Sequence, residues 1–204
     1  MIDMLLAGWA SSPWALAALF LLVVGDAFLV VIPGEAAVTA FAALAVSVGT
    51  PPISGVVAVA AMAAFAGDAL CYVVGRTVGL HRWAWMRGRR AQSAFAWSRA
   101  RLDRSTAAIV FTARFIPFAR LAVNLTAGAS RVHAPRYLAI AAVAATGWAA
   151  YQSVVGVVVA WVVPGGTAAA MLVSVAVALA LGLALDMLLS RRVRRGGGRD
   201  AAAG

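Results

Sequence analysis

Apolar residues gather along the chain into six stretches, at about 14–32, 34–49, 53–75, 106–129, 137–163 and 167–189. A helix that crosses the hydrocarbon core of a bilayer needs about 20 such residues. The stretches 53–75, 137–163 and 167–189 reach that length and predict three transmembrane helices. The other three are interrupted or short. Stretch 14–32 carries Asp26 and runs into Pro33-Gly34-Glu35, 34–49 is too short to span, and 106–129 holds Arg114, Pro117 and Arg120. Proline removes a rung from a helical hydrogen-bond ladder. Irregular backbone at membrane depth is tolerated only where protein or a wet cavity surrounds it. The pattern therefore predicts two re-entrant hairpins, 14–49 and 106–130, each dipping into the bilayer and returning to its own side.

Composition sharpens this picture. Of the 204 residues 64% are hydrophobic, against roughly 45–50% in a soluble domain, and the mean hydropathy is +0.93. A soluble fold is excluded. Length predicts one transmembrane domain, residues 1–190, followed by a basic, disordered tail, 191–204. The opening "MIDMLLAGWASSP" lacks a basic n-region, so a cleaved signal peptide is not expected. Cys71 is the single cysteine, and no metal-ligand spacing occurs; neither metal nor cofactor is expected.

Charge is unevenly placed. Residues 76–104 contain eight arginines and one acid, interleaved with Trp83, Trp85, Phe95 and Trp97. Segment 76–105 reads as an amphipathic interfacial helix on the cytoplasmic side, where arginines meet anionic lipid headgroups. Its position beside the membrane explains the basic, aromatic pattern without nucleic acid. The tail "RRVRRGGGRD" is a second basic anchor, which puts the C-terminus in the cytoplasm.

Two stretches resemble each other. "VIPGEAAV…" from Val31 and "FIPFARLAV…" from Phe115 both open on Ile-Pro, place another proline eighteen residues on (Pro51 and Pro135), continue in an Ala/Val run, and close on Val-Val-Gly. Their flanking charges are opposed. The first hairpin exits through uncharged "SVGTPPIS", the second through "SRVHAPRY"; the helix after the first ends at Arg76, that after the second at uncharged "VVPGGT". By the positive-inside rule the two repeats enter from opposite faces. The predicted fold is thus all-α and polytopic: an inverted repeat of re-entrant hairpin plus transmembrane helix, with an extra C-terminal transmembrane helix. Transporters of this build place their site near the midplane, between broken segments.

The charges at membrane depth are Asp26 and Glu35 in the first hairpin, Asp68 in the first spanning helix, and Arg114 and Arg120 in the second hairpin. A charge at the bilayer centre costs about 2.5–3.5 kcal/mol on insertion scales, so each must face a partner or water. Two readings stay open. The ions clamp the hairpins by mutual neutralisation, or the arginines hold an anion while a carboxylate exchanges protons. Arginine suits phosphate because its planar fork donates two parallel hydrogen bonds and stays charged. A carboxylate held away from water can load a proton. Asn124 and Thr126 can donate to a phosphate or to freed backbone. Tyr72 and Trp148 read as packing or interface residues, Gly49 and Gly128 as turn residues, and His81 and His133 as members of basic flanks rather than ligands.

These residues carry a resemblance to the DedA family of membrane proteins, which shares its domain with a group of eukaryotic lipid scramblases. It covers about residues 14–165. The most specific part is Phe111, Arg114, Pro117, Arg120, Ala127-Gly128, Gly147 and Trp148; a second pattern is Gly67-Asp68, Tyr72, Gly75-Arg76 and Gly79. The family's acidic pair falls on Asp26 and on Glu35 in "IPGE", with a rather short separation. The resemblance implies a multi-pass protein of the bacterial cytoplasmic membrane that translocates lipid, with undecaprenyl phosphate as the leading polyprenyl phosphate substrate and the proton motive force as drive. It implies phosphate binding by Arg114, Arg120 and Asn124, proton coupling by Glu35 and Asp26, and supporting roles for Asp68, Tyr72, Arg76, Pro33, Pro117, Gly128 and Trp148. A scramblase and an ion-coupled small-solute transporter are the alternatives, and a homodimer is compatible with the sequence. An enzyme is not expected: neither histidine lies at depth, and the acids are scattered.

Overall fold

The computed structural model describes residues 8, 10–28, 34–80, 84–114, 117–162 and the single positions 173, 176 and 180. Apart from those three positions, the expected third spanning helix at 167–189 lies outside the described residues, as do the tail and Pro33. Among those described, the regular structure is helical throughout. Its elements are α1 (Pro13–Asp26), α2 (Gly34–Val48), α3 (Ile53–Val78), a 3-10 turn (Ala84–Arg87), α4 (Arg89–Arg104), α5 (Thr106–Ala113), α6 (Pro117–Ala129) and α7 (Ala134–Val162). Two of them, α3 and α7, are long and apolar enough to cross a membrane.

Local chemistry sets the boundaries. Ser12 caps α1, accepting a hydrogen bond from Trp14 N at 3.3 Å, with Pro13 in the first turn where its missing N–H costs nothing. Ser105 ends α4 and caps α5, accepting from Ala108 N at 3.4 Å. Gly49 takes φ +82° in the turn that separates α2 from α3. The second hairpin divides into α5 and α6 around Arg114 and Pro117. After Ala129 the chain closes with Arg131 N donating to Gly128 O at 2.9 Å and Val132 N to Ala127 O at 3.0 Å. That is a Schellman ending, with Arg131 at φ +54° in the left-handed position usually held by glycine.

The halves interlock. The first arm of each hairpin lies on its own half's long helix, α1 on α3 and α5 on α7; the second arm crosses to the other half, α2 onto α7 and α6 onto α3. Glycines permit the crossings. A Cβ on Gly75 would collide with the carbonyl of Leu125, and one on Gly128 with the carbonyl of Tyr72. At the other crossing, a Cβ on Gly156 would collide with the carbonyl of Thr39. Gly128 is therefore a helix-contact residue, not the turn residue expected, because the turn falls three residues later. Of three apolar clusters, two pack along the long helices α3 and α7. One joins Leu19, Val23, Phe41, Val56 and Trp148; the other joins Ile109, Val110, Val123 and Tyr137. The outward faces are also apolar, with Leu21, Met62, Val143 and Val154 exposed, as lipid-facing surfaces require.

The basic segment is less uniform than expected. The spanning helix runs through Arg76 to Val78, so Arg76 belongs to its last turn. The amphipathic helix proper is α4, and it buries Phe95, Ser98 and Leu102.

Candidate functional site

The chain interruptions meet in one place. Asp26 is the last residue of α1, and its carboxylate accepts a hydrogen bond from the Gly34 N–H that opens α2. Arg114 caps the C-terminal end of α5, and Arg120 stands in the first turn of α6. Asp68 lies midway along α3, with Tyr72 and Arg76 one and two turns further on the same face, by the i, i+4, i+8 spacing. That face looks onto α6.

Asp68 is the hub. Arg114 Nη1 donates to its Oδ2; Arg120 Nε donates to Oδ1 at 3.0 Å and Asn124 Nδ2 to Oδ1 at 2.8 Å. Tyr137 donates its hydroxyl to the Asp68 carbonyl at 3.3 Å. Arg120 bridges onward, Nη1 donating to Asp26 Oδ2 at 3.0 Å. All five side chains, Asp26, Asp68, Arg114, Arg120 and Asn124, are buried. The arginine and aspartate charges cancel two against two. Ion pairs out of water hold only with such mutual satisfaction, because desolvation costs several kcal/mol per ion.

Satisfaction is incomplete on one sign only. Arg114 Nε and Nη2 and Arg120 Nη2 are buried and have no acceptor among the described residues. An orphaned buried donor costs about 1–3 kcal/mol. The Arg114 guanidinium also lies 5.5 Å from the centre of the Trp148 ring, a cation–π contact that supports its charge without using its N–H groups. Two helices, α2 and α6, begin at this cluster and two, α1 and α5, end at it, so their dipoles offset one another. The surplus of donors thus favours an anion.

A second layer lies along α3. Tyr72 and Tyr137 stack with ring centres 4.5 Å apart. Tyr72 donates its hydroxyl to Val132 O at 2.5 Å and accepts from Arg76 Nη1 at 2.9 Å.

Of the residues singled out in the sequence, Asp26, Asp68, Arg114, Arg120 and Asn124 converge. Trp148 supports Arg114, Tyr72 and Arg76 flank the cluster, Pro117 opens α6, and Gly128 lets α6 approach. Glu35 is half-buried in the first turn of α2. It is felt electrostatically at Asp26 but joins none of the ion pairs among the described residues. Tyr137 was not singled out. It follows Arg136 at the start of α7 and looks in sequence like an interfacial tyrosine; only its apolar downstream run hinted that the helix carries it inward.

Neither a curated protein nor a solved structure matches the chain. The VTT domain matches residues 32–158, a span that holds Glu35, Asp68, Arg114, Arg120 and Asn124 and leaves Asp26 just outside. More than half of the chain is covered, and the protein belongs to the VTT-domain family, the domain of the DedA membrane proteins.

Proposed function

We propose that the protein is a lipid translocase that carries a lipid phosphate, such as undecaprenyl phosphate, across the cytoplasmic membrane together with protons. VTT-domain membership supports a transporter- or scramblase-type role in a membrane. One observation carries the choice of an anionic headgroup: three buried guanidinium nitrogens without an acceptor among the described residues, on two arginines that carboxylates already neutralise. A clamp alone has no use for surplus donors.

The same geometry links proton to phosphate. A phosphate that takes Arg120 competes with Asp26, which holds it by a single bond through Nη1. Protonating Asp26 weakens that competitor, so proton and phosphate bind together and travel in the same direction. Asp68, with two arginines and Asn124 on its carboxylate, remains the fixed anchor. Glu35, in the first turn of α2, is the neighbouring carboxylate that relays the proton. An inward proton motive force then drives the lipid phosphate toward the cytoplasmic leaflet.

An inverted repeat fits this reading. The crossing of α2 onto α7 and α6 onto α3, with Gly75 and Gly156 each closing a Val-Val-Gly, supports it. In this topology residues 76–105, 131–136 and 190–204 face the cytoplasm. Residues 50–52 and 164–166 lie outside.

Reconstitution in vesicles with labelled polyprenyl phosphate tests the proposal. Arg114→Lys and Arg120→Lys keep the charge and lose the fork, and each is expected to weaken phosphate binding by about 1–3 kcal/mol. Asp26→Asn and Glu35→Gln are expected to abolish the response to a pH gradient. Equal movement of phosphatidylcholine, indifferent to the gradient, would instead mark a scramblase. Wild-type phosphate affinity in a folded Arg114→Ala, Arg120→Ala double variant would refute the site.

A further inference from the structure

A second surface stands apart from the buried cluster. Between α4 and α5 runs an open groove of about 500 Å³. Trp97, Arg101 and Ser105 line its polar part, taken as the mouth, and Ala108 and Ile109 line its apolar part, taken as the floor. The mouth is built for a phosphate. The Arg101 guanidinium lies 4.5 Å from the centre of the Trp97 ring, which holds the cation on an aromatic face. Trp97 Nε1 is buried without an acceptor among the described residues. In sequence, α4 carries five arginines against a single acid. The floor is built for a hydrocarbon chain. Thr112 adds no free donor there, because its hydroxyl donates to Ala108 O at 2.7 Å. Tryptophan and arginine at the mouth, with an apolar wall beyond, is the gradient a lipid presents at headgroup depth.

We infer that this groove binds one phospholipid, its phosphate at Arg101 and an acyl chain along α5. A free anion would use the mouth and leave the apolar floor to water, whereas a lipid matches both. The inference does not depend on what the buried cluster transports. It does place a lipid against the arm that ends at Arg114, roughly 13 Å along the helix from Ser105 at 1.5 Å per residue.

Native mass spectrometry of the full chain in mild detergent tests this by titration with phosphatidylglycerol, diacylglycerol and soluble glycerol phosphate. Arg101 and Ala108 are exposed, so Arg101→Gln and Ala108→Phe are expected to fold; the first removes the cation and the second fills the groove without touching charge. Each is expected to weaken retention of one phosphatidylglycerol about tenfold, the effect of losing one charge-assisted hydrogen bond or its matching chain contact. Arg90→Gln, an equal charge loss elsewhere on α4, is expected to retain it. Equal weakening by Arg90→Gln would mean diffuse attraction to the basic helix and would overturn the site. Undiminished binding in Ala108→Phe, retention of diacylglycerol equal to that of phosphatidylglycerol, or displacement of the lipid by glycerol phosphate would each do the same.

Discussion

Asp68 accepts four hydrogen bonds from other side chains, three on its carboxylate and one on its backbone carbonyl. Replacing it with Asn leaves Arg114 with no carboxylate and Arg120 with only Asp26. Breaking a buried pair from one side costs about 3–5 kcal/mol, so Asp68→Asn is expected to lower the melting temperature in detergent sharply, and more than Glu35→Gln. A milder case is Arg131, the non-glycine residue at φ +54°. Left-handed backbone costs an L-residue about 1–2 kcal/mol; Arg131→Gly should raise thermal stability by about that amount, whereas Arg131→Ala should not. The charged residues at depth were legible in the sequence, because ions in an apolar stretch demand partners. Their pairing was not. Arg120 meets Asp26 across 94 positions and Arg114 meets Asp68 across 46, and nothing local favours Asp68 over Glu35 as the hub. Glu35 stood out as the only glutamate; the geometry gives the centre to the aspartate that points at α6.

Among the described residues, the helices followed from apolar length and from the proline breaks, and the gaps between α1 and α2 and between α5 and α6 fall close to where the interruptions lie. Contact faces did not follow. The Ala/Val runs of α3 and α7 are apolar all round, so no stripe marks the side that packs on protein rather than lipid. Small residues mark it instead, as in other membrane helix contacts, and in a chain with 19 glycines their meaning is diluted. Gly75→Val and Gly156→Val are expected to separate α6 from α3 and α2 from α7. Each should destabilise by several kcal/mol, on the scale of overpacking in a tight core. Gly147→Ala should be tolerated, since an added Cβ there meets only the Phe111 ring at 3.8 Å. Thermal shift in detergent distinguishes them.

Across the whole molecule, the proposed topology sets the uncharged turn at 50–52 and the basic α4 on opposite faces. Single cysteines at positions 50 and 90, in a Cys71→Ser background, are expected to react with an impermeant reagent from opposite sides of intact vesicles. Reaction from the same side would remove the inverted repeat. Trp14 and Trp161, 75% and 76% exposed, belong to the outer face in this arrangement, where tryptophan suits the headgroup level.

The crossed hairpins also order events during synthesis. The ribosome makes Asp26 and Asp68 before either arginine that neutralises them, and α2 before the Gly156 turn of α7 on which it rests. For that interval the nascent chain holds acids in or near the bilayer without counter-ions and a hairpin arm without its seat. The first half is therefore expected to complete its packing only once the second half arrives. Chains arrested before residue 114 should therefore remain extractable or be degraded. Chains that reach past residue 156 should lock.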